Sequence, residues 1–231
     1  KTMKSDKLTV DALASYFDHT CLKAYATNDD LIKLCNEAKE IKAAMVAINT
    51  EWVAFCKKRL KDTSVHVGAA IGFPLGQCAL PTKVFETIYA IEQGADEIDY
   101  VINISKAKMH DWDYLKNEMK QIVAVCKEKD VISKVIFENC YLTKEEIRQL
   151  ALIAKEVKPD FIKTSTGFGT GGATIEDVKL MIDTVEGKVA VKAAGGIRDW
   201  EMAKAMIDLG VKRIGTSSSL KILEEFKQVQ Q

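Results

Sequence analysis

Two lysines at a fixed separation are the residues best suited to chemistry in this sequence of 231 residues. Lys163 and Lys192 each end a short, mostly apolar run, FIK and VAVK, and they lie 29 residues apart. Two ammonium groups held close together repel each other, and burial also disfavours the charged form, so both effects lower the pKa of a lysine. A lysine that is neutral near pH 7 is a nucleophile that forms a Schiff base with carbonyl compounds.

The alternative is that both lysines extend to solvent, as lysines at strand ends commonly do. Asp99 favours the catalytic interpretation, because it lies within the apolar run EIDYVIN, where an uncharged residue would pack better. A carboxylate there can pair with a lysine from another strand, although a purely structural ion pair is the alternative for this residue. We therefore predict Lys163, Lys192 and Asp99 as catalytic residues.

Segments rich in glycine and serine form a second group of candidate site residues. They read TSTGFGTGG from Thr164, AAGGIR from Ala193 and GTSSS from Gly215. Glycines let backbone N–H groups approach an anion closely, and the N-terminus of a helix adds a favourable dipole. Ordinary turn formation is the simpler explanation. The anion-binding interpretation predicts a phosphate site that contains Gly195, Gly196, Arg198, Ser217 and Ser218.

Short apolar runs alternate regularly with longer amphipathic segments along the chain. The runs predict eight β-strands, at residues 16–19, 44–49, 65–72, 97–103, 134–139, 161–166, 189–194 and 213–216. Several are almost continuously apolar, which is typical of parallel strands covered by helices on both faces. The segments between them carry helix signals, including a capping box at Thr143 and Glu146 and a cap at Asp199 with Gly210 as the C-terminal stop.

Eight strand–helix repeats in 231 residues average about 29 residues each, the size of a minimal βα unit. This pattern predicts an α/β fold in which eight parallel strands close into a (β/α)8 TIM barrel, with an open doubly wound sheet as the alternative. Polar residues at the predicted strand ends favour the barrel, because barrels build their active sites there. These residues are Asp18, Asn49, Asp99, Asn103, Glu138, Asn139, Lys163 and Lys192. We expect a single domain over residues 1–231, with residues 1–8 as an N-terminal extension.

A competing motif is formed by Gly167, Gly169 and Gly172, which match the spacing G-x-G-x-x-G of dinucleotide-binding folds. In those folds the motif follows the first strand, and an acidic residue ends the next one. Here the motif follows the sixth predicted strand, and the next strand carries Lys192. A dinucleotide cofactor is therefore disfavoured.

The composition disfavours several further partners. Lys plus Arg and Asp plus Glu both number 33, so no excess charge attracts nucleic acid or anionic lipid. No apolar run is long enough to span a membrane, and the opening KTMKSDK lacks the apolar centre of a signal peptide. The six cysteines form no Cys-x-x-Cys pair, and the three histidines lack metal-ligand spacing. We predict a cytoplasmic protein with reduced thiols, no cofactor, no metal ion, and no nucleic-acid or membrane partner.

Seven motifs in this order resemble the deoxyribose-phosphate aldolases, a family of Schiff-base enzymes with (β/α)8 barrels. The motifs are DHTCLKAYAT, IGFPLGQ, GADEIDYVIN, KVIFENCYLT, DFIKTSTGF, VKAAGGIR and RIGTSS, and together they extend over residues 18–218. The combination of KTSTGF with VKAAGG at this separation is the most specific part of the resemblance.

The resemblance implies reversible cleavage of 2-deoxy-D-ribose 5-phosphate to D-glyceraldehyde 3-phosphate and acetaldehyde, a lyase reaction of deoxyribonucleotide catabolism. It implies that Lys163 forms the Schiff base, that Lys192 perturbs that amine, and that Asp99 takes part in proton transfer. The further substrate contacts that it implies are Asp18, Thr20 and Gly167. It also implies a small phosphorylated sugar as the binding partner and a homo-oligomer, either a dimer or a tetramer.

The chain departs from the family pattern in two places. Where the family often reads Val-Cys-Val-Asn-Pro, residues 46–50 place Ala47 and Thr50 at the Cys and Pro positions, so no thiol is expected there. The last residues, FKQVQQ, contain no tyrosine, so we expect the final proton transfer to use other groups or water. The alternatives for function are a transaldolase-like Schiff-base enzyme and a non-catalytic sensor of phosphorylated ligands.

Overall fold

The computed structural model describes residues 5–230 of the chain. Within this range the strands are β1 Phe17–Thr20, β2 Met45–Asn49, β3 His66–Ile71, β4 Glu97–Val101, β5 Ile132–Ile136, β6 Phe161–Lys163, β7 Ala190–Ala194 and β8 Arg213–Thr216. Each strand runs parallel to its neighbours, and pairing of β1 with β8 closes the sheet in sequence order. The predicted (β/α)8 barrel is confirmed, and the open sheet is excluded.

Helices cover the outside of the barrel. They are α1 Val10–Ala14, α2 Asn28–Ile41, α3 Val53–Arg59, α4 Leu80–Glu92, α5 Ile104–Lys108, α6 Trp112–Glu128, α7 Lys144–Val157, α8 Ile175–Val185, α9 Trp200–Leu209 and α10 Ser219–Val229. The predicted caps are present: Thr143 and Glu146 form the capping box of α7, and Asp199 caps α9, which is followed by a left-handed Gly210. No helix in residues 5–230 is both long enough and apolar enough to cross a membrane.

Several strands end earlier than the apolar pattern predicts. β4 stops at Val101, and Asn103 instead serves as the N-cap of α5, where its side chain accepts from the Lys106 N–H. β5 stops at Ile136, after which Glu138 adopts a left-handed conformation with φ 57° and precedes a 3-10 turn. Caps and turns take over the backbone hydrogen bonding at these places, which an apolar run does not reveal.

The predicted N-terminal extension covers residues 1–8, of which residues 1–4 lie outside the described residues. Ser5 is buried, and its backbone N–H and hydroxyl donate to Asp208 Oδ1 of α9 at 3.0 and 2.7 Å. Leu8 is also buried and belongs to the apolar core. Ser5 and Leu8 are therefore packed against the barrel.

Two glycines inside the barrel leave room for long side chains. A Cβ atom on Gly68 of β3 would lie 2.1 Å from Met45 Sδ, and one on Gly215 of β8 would lie 3.0 Å from Lys192 Cε. Protein interiors are close-packed, so a larger residue at either position would force these side chains to move. The small residues thus create the space that Met45 and Lys192 occupy.

A buried ion pair fixes the end of β4 from outside the barrel. Lys83 of α4 and Glu118 of α6 are fully buried, with 2.9 Å between Nζ and Oε2. Lys83 also donates to the Val101 carbonyl at 2.7 Å, and Glu118 accepts from the Asn103 N–H at 3.0 Å. These contacts compensate part of the cost of burying both charges and tie two helices to the strand that carries Asp99.

Candidate active site

Lys163 and Lys192 lie side by side inside the barrel. They are register partners on β6 and β7, as their separation of one repeat predicts. Lys163 ends β6 with 4% of its surface exposed, and Lys192 stands in the middle of β7 and is fully buried. Neighbouring strands lie about 4.8 Å apart, so the two amines repel each other when both are protonated.

Asp99, the middle residue of β4, reaches both lysines. Its Oδ2 lies 3.2 Å from Lys163 Nζ and 2.8 Å from Lys192 Nζ. Burial alone would raise the pKa of Asp99, but the cations Lys134, Lys192 and Lys163 hold it well below its usual range. Asp99 is therefore an ionised carboxylate, a form that can accept a proton.

Lys134 of β5 is a third lysine buried inside the barrel, which the sequence analysis does not select as a site residue. Its Nζ lies 2.6 Å from Glu97 Oε1, 2.9 Å from Asp99 Oδ1 and 3.4 Å from Asp18 Oδ2. Burial alone would lower the pKa of Lys134, but the three carboxylates raise it above its usual value. Lys134 is thus held as a cation. A charge within the apolar run ISKVI is the sequence signal that could have found it.

Arg213, Glu97 and Asp18 form a charged layer beneath the lysines. Arg213 Nη1 donates to Asp18 Oδ1 at 2.7 Å and to Glu97 Oε1 at 2.8 Å. Asp18 Oδ2 also lies 2.6 Å from Lys192 Nζ, and Glu97 Oε2 lies 2.7 Å from His66 Nδ1. Asp18, predicted as a substrate contact, is fully buried within this layer.

The three lysines inside the barrel, Asp99 and the charged layer beneath them form one network. Its charges do not balance if every group is ionised. In the described part of the barrel interior, the carboxylates are Asp18, Glu97 and Asp99, and the cations are Lys134, Lys163, Lys192 and Arg213. Lys134 contacts all three carboxylates and Lys192 contacts two, whereas Lys163 contacts one, at 3.2 Å. Lys163 is therefore the lysine whose proton is held least firmly.

The pKa of Lys163 is lowered to about 8. Burial is the largest cause and the neighbouring Lys192 the second, while Asp99 opposes them. Compared with an ordinary lysine of pKa about 10.4, the neutral fraction at pH 7 rises from roughly one molecule in 2,500 to roughly one in ten. Such an amine can attack a carbonyl carbon at neutral pH.

A cavity of about 510 Å³ opens above Lys163 at the carboxyl ends of the strands. The predicted residues in its lining are Thr20, Lys163, Gly167, Gly195, Gly196, Arg198 and Ser217. The predicted residues Asp99, Lys192 and Asp18 lie deeper in the barrel and do not line it. Ser218 is half-buried at the N-cap of α10, next to the lining residue Ser217.

One side of the cavity has the features of an anion site. The backbone N–H groups of Gly167, Gly196 and Ser217 have no hydrogen-bond acceptor within the described residues. α10 begins beside Ser217 without a side-chain cap, so its first N–H groups are also available. The guanidinium of Arg198 adds a positive charge to the lining. Free N–H groups, a helix N-terminus and a guanidinium are donors that suit phosphate.

The cavity also has lining residues that the sequence does not single out. Lys23 and Lys33 are exposed, and neither forms an ion pair with another described residue. His19 is buried, and its ring nitrogens lie 2.8 Å from Ser219 Oγ and 3.1 Å from Glu37 Oε1. Isolated lysines and a single histidine carry no spacing signal, so only the fold brings them to the site.

The positions that depart from the family pattern lie in and directly after β2. Ala47 is buried, and its carbonyl accepts from the N–H of Cys21, a cavity-lining residue, at 3.0 Å. Thr50 donates its hydroxyl to Glu86 Oε2 at 3.0 Å, a bond that proline could not make. The six cysteines are free thiols, and Cys21 is half-buried.

Comparison with known proteins identifies the family. A sequence profile of the DeoC/LacD family of aldolases matches residues 12–224. The deoxyribose-phosphate aldolase of Lactobacillus acidophilus is 56% identical over 221 residues, which cover 96% of this chain and 93% of that protein. The protein of the same name from Bacteroides thetaiotaomicron is 50% identical over 222 residues, 96% of this chain and 93% of that one. The solved structure of deoxyribose phosphate aldolase from Aeropyrum pernix has a TM-score of 0.90 at 30% identity, covering 97% of this chain and 95% of that one. The chain therefore belongs to the DeoC/LacD family of aldolases, which are lyases.

Proposed function

We propose that the protein cleaves 2-deoxy-D-ribose 5-phosphate reversibly to D-glyceraldehyde 3-phosphate and acetaldehyde through a Schiff base on Lys163. The observation that carries this proposal is the Lys163 amine, which lines the cavity and has a pKa of about 8. The substrate is supported by the names of the bacterial relatives, at 56% and 50% identity.

In the cleavage direction, the neutral amine of Lys163 attacks the C1 aldehyde of the open-chain sugar. Loss of one water molecule converts the adduct to an iminium ion, which serves as the electron sink. Removal of the proton from the C3 hydroxyl lets the C2–C3 bond break, and its electron pair moves towards the iminium to give an enamine. The former C3 becomes the aldehyde carbon of glyceraldehyde 3-phosphate, which leaves.

The enamine is then protonated at C2, and one water molecule hydrolyses the new iminium to acetaldehyde and free Lys163. We assign these proton transfers to Asp99 and Lys192, whose charged atoms lie 2.8 Å apart, together with an ordered water. The ionised Asp99 accepts a proton, and the ammonium of Lys192 donates one. Acid–base catalysis of this kind typically contributes about 10²–10⁴ in rate.

We assign the phosphate group to the side of the cavity with free backbone N–H groups. The residues assigned to it are Gly167, Gly195, Gly196, Arg198, Ser217 and Ser218, and Thr20 lines the same cavity. The phosphate takes no part in bond breaking, so its binding energy serves to hold the C1 carbonyl within reach of Lys163.

A product assay with the purified protein tests this function. Incubation with 2-deoxyribose 5-phosphate is expected to release acetaldehyde and glyceraldehyde 3-phosphate in equal amounts, and Lys163→Met to abolish the release. Lys179→Met, which changes an exposed lysine of α8 paired with Asp183, is the matched control and keeps full activity. Three-carbon transfer without acetaldehyde would instead identify a transaldolase-like enzyme, and ligand binding without any product would identify a sensor.

The proposal also covers the cellular location, the domain organisation and the assembly of this protein. We propose a cytoplasmic catalyst of deoxyribonucleotide degradation, because its substrate is a phosphorylated deoxyribose. We also propose that residues 1–231 form one catalytic domain and that the chain assembles as a homo-oligomer. The Aeropyrum pernix relative, whose structure is described as tetrameric, supports the last point. Sedimentation velocity of the purified chain is expected to give a dimer or a tetramer.

A further inference from the structure

Glu138 is a buried carboxylate outside the lysine network. It follows β5 in a left-handed backbone conformation, φ 57° and ψ 62°, and 2% of its surface is exposed. Within residues 5–230 it forms no ion pair, and the donors to its carboxylate both belong to Thr166. A buried charge and a left-handed conformation both disfavour an ordinary acidic residue at this position. The contacts with Thr166 compensate part of that cost.

Thr166 lies in the loop that follows the Lys163 strand, and Glu138 holds it by two bonds. The Thr166 N–H donates to Oε1 at 3.0 Å, and the Thr166 hydroxyl donates to Oε2 at 2.5 Å. The hydroxyl therefore directs its proton at Glu138. The hydroxyl oxygen is then free to accept from the Phe168 N–H, at 3.0 Å.

Because of these bonds, two backbone N–H groups of the loop are used within the protein and the one between them stays free. The N–H groups of Thr166 and Phe168 are engaged with Glu138 and with the hydroxyl that it orients. The N–H between them, on Gly167, has no acceptor among the described residues, and Gly167 lines the cavity with φ 90°. A Cβ atom added to Gly169 would lie 3.2 Å from Glu138 Cδ, so the next part of the loop also packs closely on this carboxylate.

We propose that Glu138 is a positioning residue, which fixes the loop after β6 so that Gly167 presents its N–H to the substrate phosphate. The inference rests on the proposed function and extends it to a residue that does not line the cavity. Glu138 acts through Thr166, because its own carboxylate oxygens are used by the Thr166 N–H and hydroxyl. Its loss therefore affects the phosphate end of the substrate rather than the Schiff base on Lys163.

The test compares phosphorylated and unphosphorylated substrates in Glu138→Gln, which is nearly isosteric. The amide offers one acceptor oxygen and two N–H donors, so it keeps the bond from the Thr166 N–H but leaves the hydroxyl proton without its acceptor. We expect KM for 2-deoxyribose 5-phosphate to rise about tenfold, equal to about 1.4 kcal/mol. We expect kcat/KM for unphosphorylated 2-deoxyribose and the pH profile of borohydride trapping to stay within about twofold of wild type. Glu145→Gln, at an exposed position of α7, is the matched control.

Thr166 provides an independent arm of the same test. Thr166→Val removes the hydroxyl and should reproduce the Glu138→Gln phenotype, whereas Thr166→Ser restores the hydroxyl and the wild-type KM. Because both positions act in one network, the double variant Glu138→Gln/Thr166→Val should be no more than about twofold weaker than Thr166→Val alone. If Glu138→Gln fails to fold, as judged by circular dichroism, the Thr166→Val and Thr166→Ser pair decides the question.

Three results would overturn the proposal: equal losses on both substrates, an unchanged KM for the phosphorylated sugar, or fully multiplicative losses in the double variant. Each of them leaves the wild-type cleavage reaction intact and counts against Glu138 alone. A wild-type protein that releases no acetaldehyde from 2-deoxyribose 5-phosphate would contradict the proposed function itself.

Discussion

Replacing Lys192 by methionine removes the positive charge beside Lys163 while keeping a side chain of similar length. In the wild type, burial and then Lys192 lower the pKa of Lys163 to about 8, against the attraction of Asp99. In Lys192→Met, Asp99 and Asp18 lose a cation that lay 2.8 and 2.6 Å away. The protonated form of Lys163 then faces less repulsion and a more strongly negative carboxylate, so we expect its pKa to rise, while burial, the largest cause, still holds it below the usual value of 10.5.

The expected effect on the Lys163 nucleophile is large and depends on pH. At pH 7, a pKa of about 8 leaves roughly 9% of the amine neutral, and each further unit of pKa lowers that fraction about tenfold. If the rate of Schiff-base formation follows the neutral fraction, a rise of one unit in pKa lowers that rate about tenfold at pH 7 and by only about 10% at pH 10. A rise of one unit in pKa corresponds to about 1.4 kcal/mol.

Reductive trapping measures the formation of the Schiff base separately from the breaking of the carbon–carbon bond. Protein is incubated with acetaldehyde and cyanoborohydride from pH 7 to pH 10, and the modified fraction is followed by intact-protein mass spectrometry. A role of Lys192 in later proton transfer does not enter the result, because trapping ends at the iminium. Lys192→Arg keeps the cation and serves as the control, with a trapping midpoint near that of wild type. A midpoint that stays near pH 8 in Lys192→Met would refute the charge-repulsion argument.

Three further predictions concern stability and cofactors. Lys134→Met removes the cation that contacts three buried carboxylates, so urea unfolding should show a loss of about 3–5 kcal/mol, and an unchanged midpoint would contradict the assigned ion pairs. Because lysines and a carboxylate supply every charge that the reaction needs, EDTA should leave cleavage unchanged, whereas a zinc-reversible loss would point to a metal. Burial would raise the pKa of Glu146, but hydrogen bonds from Lys108, the Thr143 N–H and His110 lower it to about 2. The ionised form therefore stabilises the fold above about pH 4.5, and this contribution is lost as the pH falls towards 2. The destabilisation caused by Glu146→Gln should shrink over that window, and a constant difference down to pH 2 would contradict the assignment.

The barrel and the lysine pair could be predicted from the sequence because both follow from periodicity. Each repeat of apolar run and amphipathic segment adds one parallel strand, so two residues one repeat apart lie at the same depth on neighbouring strands. Lys163 and Lys192 are such residues. Asp99 was recognisable because a carboxylate in the middle of an apolar strand needs a partner to be buried.

The other charged residues of the network could not be identified as site residues in the same way. Glu97 and Arg213 begin their strands, where a charged residue can equally face solvent, and only the closed barrel turns both side chains inward onto Asp18 and Lys134. Lys134 is the counterion of three carboxylates on two other strands, and such a partnership depends on register across the barrel. The charge within the apolar run ISKVI indicates that Lys134 needs a buried partner, but the local sequence does not show which carboxylates supply it.

The turns after the strands were predictable only in part. The apolar pattern predicts Glu138 as a strand-end residue, but its left-handed backbone turns the carboxylate towards Thr166 on the next loop. The glycines at 167, 195 and 196 were visible as candidates for anion binding. Which of their N–H groups remain free depends on the hydrogen bonds of neighbouring residues, and these form only in the folded chain.

Identification of the residue that carries the Schiff base is the decisive experiment on the role of Lys163. The protein is incubated with 2-deoxyribose 5-phosphate and borohydride at pH 7, digested, and analysed by mass spectrometry for the reduced adduct. We expect one modified residue, Lys163, and no adduct in Lys163→Met. An adduct on Lys192 or on the exposed Lys23, or the absence of any adduct during active turnover, would contradict this expectation.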